Sequence, residues 1–444
     1  MQIQLPEKVN TIIDCLEQAG YEAYAVGGCV RDTLLHRVPG DWDITTSAKP
    51  MEVKKLFRRT IDTGIEHGTV TVMLDKEGFE VTTYRIDGEY EDARHPKQVA
   101  YTKNLLEDLK RRDFTINAMA YNKRDGLIDA FGGIEDLKKG VIRCVGNPMH
   151  RFSEDALRML RAVRFAAQLG FSIEENTKKA IVTLAPNLSK ISAERIQVEF
   201  VKLLTSNHPE ELRTLYETGI TGIIFPEFNV MMKEEQHNPH HCYTVGEHTI
   251  AALCNIKADK VLRLTMLLHD IAKPVCKTVD EKGICHYYGH PKKSADMARE
   301  FFRRLKFDGA TRDQVCRLVK WHDDNPPLEE QMIRKTIHRI GTQCYPALFQ
   351  VKRADILAQS DYEREKKLAY VDAYEKMYDE IIKKGQCLTL KELAVTGSDL
   401  IKIGIKPGKE IGEILDFLLQ EVLEHPENNT KEILLELVQL RQKK

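Results

Sequence analysis

Asp41 and Asp43 stand one residue apart in the run Pro39-Gly40-Asp41-Trp42-Asp43-Ile44-Thr45-Thr46. Side chains two apart on a strand face the same way, so the two carboxylates converge while Trp42 points to the other side. Such a pair can hold Mg²⁺, the ion that clamps the attacking and leaving oxygens of an in-line phosphoryl displacement. Just upstream, Tyr24-Ala25-Val26 reads as a short buried strand, Gly27-Gly28 as a tight turn, and Val30 to Leu35 as a helix. The glycines leave N–H groups uncovered at a helix start, and Arg31 adds a forked cation, so Gly28 and Arg31 read as a triphosphate cradle. A Gly-Gly or an Asp-x-Asp alone is commonly a turn or a solvated edge; the two in tandem, one helix and one turn apart, point to nucleotidyl transfer.

A second set of residues suits transition metals. His248, His269-Asp270, His290, His322 and Asp355 supply imidazoles and carboxylates in one helical region, and an adjacent His-Asp can serve two ions at once. A third set lies in Arg151–Leu169, read as one amphipathic helix capped by Ser153. Asp155, Arg158, Arg161 and Arg164 recur at every third position, and the first three share a face. Cytosine and adenine each present an amine donor beside a ring-nitrogen acceptor; guanine and uracil present the reverse. A carboxylate next to a guanidinium, as in Asp155 and Arg158, fits the first two bases and repels the others.

Other elements must position these groups. Residues 1–23 read as a helix with Val9, Ile12, Ile13 and Leu16 on its apolar face, and Pro50–Arg59 as another. Thr69–Leu74 and Phe79–Tyr84 alternate like an antiparallel pair, which places Glu80 beside the site as either a third carboxylate or a plain exposed strand residue. A long polar stretch follows at 87–101. Arg111-Arg112-Asp113 then opens what reads as a helix with Asn117 one turn in, Ile191–Leu204 as another helix, and Gly404–Lys409 as a lysine-bearing loop before a helix.

These motifs resemble the nucleotidyltransferase head of the polymerase β superfamily in its class II form, shared by CCA-adding enzymes and bacterial poly(A) polymerases. Arg111–Ala120 matches that family's RRDFTxNAxA element, Asp129–Gly133 its hinge element, and Glu154-Asp155-x-x-Arg158 its EDxxR motif. The histidine series resembles an HD-domain phosphohydrolase. The resemblance implies an α+β chain: a small mixed-sheet head over 1–150, a neck over 151–205, a helical HD body over 206–360 and a helical tail over 361–444. It further implies that Arg112 contacts triphosphate or ribose, that Arg161 and Arg164 bind nucleotide, and that a flexible loop lies at 87–101. The implied activity is addition of C, C and A from CTP and ATP to the 3′ end of tRNA, with Mg²⁺ in the head and a possible second divalent metal in the HD site. Poly(A), A-only or CC-only synthesis are alternatives within the class; a phosphohydrolase or RNA-binding protein with an inactive head is the alternative outside it.

Composition agrees with these expectations without dictating them. A chain of 444 residues should divide into several domains. With 66 basic against 67 acidic residues, binding RNA requires cations gathered on one face. Ten scattered cysteines without metal or disulfide spacing suggest a reducing, cytoplasmic setting, and no run of about 18 apolar residues suggests a membrane span.

Overall fold

Four consecutive fully buried residues, Ala23–Val26 (β1), can be accommodated only inside a sheet covered on both faces, and β1 lies near the middle of one. The computed structural model describes residues 3–87 and 99–442, which form two compact units, Met1–Asn229 and Val230–Lys444. In the first unit α1 (Glu7–Gln18) begins directly after Pro6, so residues 3–6 are not helical although a helix was expected there, and its buried face is Val9, Ile12, Ile13 and Leu16. Proline at this position presets the backbone for a helix but cannot extend one backwards.

The chain continues through α2 (Gly28–Leu34), β2 (Ile44–Thr46), α3 (Pro50–Leu56), β3 (Thr60–Gly64), β4 (Thr69–Leu74), β5 (Glu77–Thr83) and the short pair β6 (Arg85–Asp87) and β7 (Val99–Tyr101). After α4 (Leu105–Lys110) come β8 (Met119–Asn122) and β9 (Gly126–Asp129). The seven-stranded sheet runs β3-β4-β5-β2-β1-β8-β9, antiparallel throughout except for the parallel pair β2 and β5. The β4–β5 hairpin turns through Asp75 (φ 46°) and Lys76 (φ 70°), both left-handed, as a two-residue hairpin requires. Residues 88–98, most of the stretch in which a flexible loop is expected, lie outside the described residues.

Three expectations from the sequence are corrected. The segment after Arg112 does not open a helix: Thr115–Asn117 makes a single 3₁₀ turn, and Met119–Asn122 is a buried strand against β1. Its apolar residues pack into the sheet, which overrides their local helical preference. Asp41 and Asp43 precede β2 rather than lying on it. The helix expected over Arg151–Leu169 is two helices, α6 (Pro148–Glu154) and α7 (Leu157–Leu169), broken at Asp155, whose backbone is extended (φ −140°, ψ 104°). Ser153 caps nothing; its hydroxyl donates back to the Met149 carbonyl.

The second unit is helical. Leu318, Ile337, Tyr345, Phe349 and Tyr374 share one apolar core with Leu400, Leu418 and Val438 from the last helices. The Gly404–Lys409 loop has Gly404 at φ +98° and Gly408 at φ +150°, and Lys409 is paired with Glu413 at 3.1 Å. No helix is long and apolar enough to cross a membrane among the described residues.

Candidate active site and metal centre

Gly27 turns the chain out of β1 with φ +83°, and a Cβ there would lie 2.9 Å from Nη1 of Arg112. The left-handed backbone favours glycine here, and the bare backbone lets the end of the flexible Arg112 side chain approach closely. Arg112 sits one turn beyond Asp108, a fully buried carboxylate that also accepts from Arg111 at 2.8 Å and from Thr45 at 3.2 Å. Burial opposes ionisation of Asp108, but the charges of Arg111 and Arg112 outweigh it and lower its pKa. Nε of Arg112 is buried with no hydrogen-bond partner among the described residues. Such a donor beside a bare glycine turn suits a phosphate oxygen. Arg31 is less free than the sequence suggests: it donates to Asn117 at 2.6 Å and to Asp32 at 2.9 and 3.0 Å, and its guanidinium lies 5.0 Å from the Phe165 ring centre.

The carboxylates face this turn. The Asp43 carbonyl accepts from Val26 N–H at 3.0 Å, which ties Asp43 to the residue before Gly27. Ile44 pairs with Val81 in parallel register, so one step back brings Asp43 beside Glu80. Burial first, then the negative charge of Asp41, push the Asp43 carboxyl up to about 6; Glu80 adds to this and Arg112 opposes it. Like charges held this close call for a cation, and an all-oxygen donor set suits Mg²⁺.

Asp155 and Arg158, expected to read the base, are placed differently from the expected ladder. Asp155 lies in the break between α6 and α7, where its carboxylate accepts from Leu157 N–H at 3.1 Å and from Arg195 at 2.7 and 3.3 Å. Arg158 does not pair with Asp155; it donates to Glu154 at 2.6 Å and to the carbonyls of Arg151 and Arg111. Arg161 binds Asp113 at 2.6 Å, and Arg164 binds Glu199 at 2.8 Å while stacking 3.5 Å over Phe165. Burial would raise the Asp113 carboxyl, but the charge of Arg161 and hydrogen bonds from Asn117 and Arg161 hold it well below the usual carboxylate range. Arg195 and Glu199 lie one turn apart on α9 (Ala193–Leu204), which packs along α7. Neither was singled out from the sequence, nor was Asp108. The i, i+4 spacings Asp108/Arg112 and Arg195/Glu199 were the available signal, but such spacing is common on any charged helix.

In the second unit, five helices bring the six metal-type residues together. His248 Nε2 lies 2.9 Å from Asp355, 3.2 Å from His269 Nε2 and 3.5 Å from Asp270. His290 Nε2 lies 3.2 Å from Asp270 and 3.4 Å from His322 Nε2. Five of the six fall into two buried triads, His248-His269-Asp270 and Asp270-His290-His322, that share Asp270, with Asp355 beside the first. Each of the four Nδ1 atoms meets a backbone carbonyl, of Ala358, Met266, Tyr287 and Val319 respectively, at 2.7 to 3.2 Å. A carbonyl only accepts, so each Nδ1 carries a proton and each ring turns its Nε2 inward, where an ion would displace any second proton. Both Asp270 oxygens are buried without a hydrogen bond among the described residues, although the Lys273 ammonium is 2.7 Å away. Burial disfavours protonation of His269, yet Asp270 and Asp355 outweigh it and raise the ring to about 10. The cluster therefore draws in positive charge, and facing lone pairs with orphaned carboxylate oxygens fit divalent cations. Cavities of about 430 and 340 Å³ open onto it, and both are lined by His322, Asp355 and Gln359.

Comparison with known proteins agrees with this architecture. Residues 23–143 match the poly A polymerase head domain, 170–232 the probable RNA and SrmB-binding site of polymerase A, and 287–438 the putative tRNA nucleotidyltransferase domain 2. A CCA-adding enzyme of Levilactobacillus brevis is 37% identical over 99% of this chain and 100% of its own, and one of Lactobacillus delbrueckii subsp. bulgaricus is 38% identical over 96% of each. The crystal structure of the Bacillus stearothermophilus CCA-adding enzyme in complex with CTP superposes with a TM-score of 0.73 at 31% identity, covering 99% of this chain and 100% of that one. With similarity of this order along nearly its whole length, the chain belongs to the family of CCA-adding enzymes.

Proposed function

We propose that the protein is a tRNA nucleotidyltransferase that adds C, C and A from CTP and ATP to the tRNA 3′ end. What supports the reading is that the charges of Asp41 and Glu80 both act on Asp43, beside the turn where Arg112 lies against Gly27. Asp41 and Asp43 would hold Mg²⁺, which when bound supplies charge at the α-phosphate and activates the attacking 3′-hydroxyl. Arg112, together with Gly28 and Arg31, holds the triphosphate in line. Arg161 and Arg164, fixed by Asp113 and Glu199, border the nucleotide. Asp155 accepts from the exocyclic amine and Arg158 donates to the ring nitrogen of C or A. The test is incubation with tRNA lacking its 3′ end and each labelled NTP, followed by sequencing of product ends. Ends completed as CCA support the reading; runs of A, or stops at CC or after a single A, assign the chain to an alternative of its class.

A second activity is favoured by the histidine cluster. Two triads sharing one carboxylate, with all four imidazoles fixed by carbonyls and two cavities reaching them, support a two-metal phosphohydrolase of the HD type. His248, His269, Asp270, His290, His322 and Asp355 would hold the ions. Lys273, three residues after Asp270, is placed to neutralise an anionic substrate beside them.

A further inference from the structure

The near-neutral charge of this chain leaves RNA affinity to local concentrations of cations, and one lies in the second unit. A groove of about 600 Å³, larger than either cavity beside the histidine cluster, is walled by the helices His290–Arg304, Gly309–Trp321 and Glu330–Ile340 and by Gly341. Arg299, Arg317, Lys320 and Arg339 line it, and the sole carboxylate among the described lining residues, Asp313, is paired with Arg312 at 2.8 Å.

Elsewhere on the surface, bases are matched to acids one turn away, as in Arg303 with Glu300 and Lys409 with Glu413. In the groove a different device holds two of them. The Lys320 ammonium and the Arg339 guanidinium lie 4.6 and 4.5 Å from the centre of the Trp321 ring, an attraction that orients both cations without neutralising either. Arg339 also has a carboxylate, Asp324, at 2.8 Å, and Arg299 has Asp296 at 2.6 Å. Neither Arg317 nor Lys320 has a carboxylate within ion-pair distance among the described residues, and the charge of Asp313, one turn before Arg317, reaches it only through space. Gly341, at φ +96°, leaves the space beside Arg317 open: a Cβ there would lie 3.1 Å from Nη1 of Arg317. Cations crowded into a concavity repel one another, and an anion removes that cost.

We propose that this groove binds two successive phosphates of an RNA backbone, with Arg317 and Lys320 as the principal contacts and Trp321 as the group that orients them. Arg317 and Lys320 are one helical turn apart, roughly 5 to 6 Å between Cβ atoms, a spacing suited to neighbouring phosphates of one strand. The guanidinium fork recognises a phosphate through two parallel hydrogen bonds. The inference rests on the tRNA reading above for the identity of the RNA, and it adds a contact far along the sequence from the nucleotide-binding head.

The test is equilibrium binding of tRNA to the full chain across a salt series. Two phosphate contacts contribute about 1.4 to 1.8 to the slope of log K against log salt. Arg317→Glu/Lys320→Glu should flatten the slope by at least that amount and weaken affinity about tenfold or more near 0.15 M salt. Lys320→Gln, a mild change on an exposed helix position, should give about half the change in slope. Wild-type slope and affinity in variants that keep the wild-type thermal midpoint would overturn the proposal. So would equal weakening of a polyglutamate probe, which would assign the groove to acidic peptides. Because binding is read directly, failure here is distinct from failure of CCA addition, which the wild type's own product ends report.

Discussion

At the scale of single residues, the head joins a deliberate electrostatic conflict to a steric one. Burial and then the charge of Asp41 raise the Asp43 carboxyl to about 6, and the Arg112 guanidinium packs against the bare backbone of Gly27. Groups set against one another in this way serve a bound ion and a triphosphate rather than the stability of the fold. Asp41→Asn should therefore cut CTP incorporation by about a thousandfold, the equivalent of about 4 kcal/mol of lost charge stabilisation. The same substitution relieves repulsion, so the thermal midpoint should hold or rise slightly. Single-turnover incorporation and a thermal melt check both, and near-normal incorporation would remove Asp41 from the metal site. The Asp41/Asp43 pair was legible in the sequence because carboxylate spacing is local. Asp108 and Arg195 were not, because each acts on a partner that its own neighbours in the chain do not reveal.

At the scale of elements, the break at Asp155 is the decisive feature of the neck. A continuous helix would have ranged Asp155 with the arginines; the break turns its carboxylate to the start of α7 and to Arg195. Leaving a buried donor or acceptor unsatisfied costs about 1 to 3 kcal/mol, so two mismatched groups could supply at least a hundredfold base selection. Asp155→Ala should admit UTP and GTP, read as kcat/KM for all four NTPs on tRNA lacking CCA. Uniform loss with the CTP and ATP preference intact would return the neck to a purely structural role. Beneath it, the buried Asp113 ties the segment before β8 to α7 through Arg161. Asp113→Asn should cost about 3 kcal/mol, because it leaves a partly buried guanidinium with only the longer contact to Glu199, at 3.4 Å. The Asp113 carboxyl lies below its unfolded value of about 4, so its contribution is complete above that pH and fades as the pH falls towards the folded value. Denaturant titrations of wild type and variant should thus converge in acid; a gap that widened as pH fell would contradict the pairing.

At the scale of the whole molecule, the two units should answer differently to metal. Ions held by buried ligands stabilise the folded state by mass action. Chelation of the purified protein should lower the calorimetric transition of the unit containing the histidine cluster by several degrees and leave that of the head unit unchanged. Restoring Mn²⁺, Co²⁺ or Ni²⁺ should recover it in wild type, while Asp270→Asn should show neither the loss nor the recovery. Transitions that ignore both chelator and metal would make the cluster a packed polar core.

The sequence by itself determined the kinds of chemistry, because carboxylate pairs, glycine turns and the His-Asp dipeptide are local patterns whose meaning survives without coordinates. It also determined most elements whose apolar period is unambiguous, such as α1 and the β4–β5 hairpin. Tertiary structure alone decided the rest. Met119–Asn122 became a strand because β1 offered it backbone partners, and α6 and α7 separated because Asp155 found partners outside its own helix. Six metal-type residues spread over more than a hundred positions became one cluster because five helices packed their ends together. Those outcomes depend on contacts between segments distant in the chain, and no local pattern carries that information.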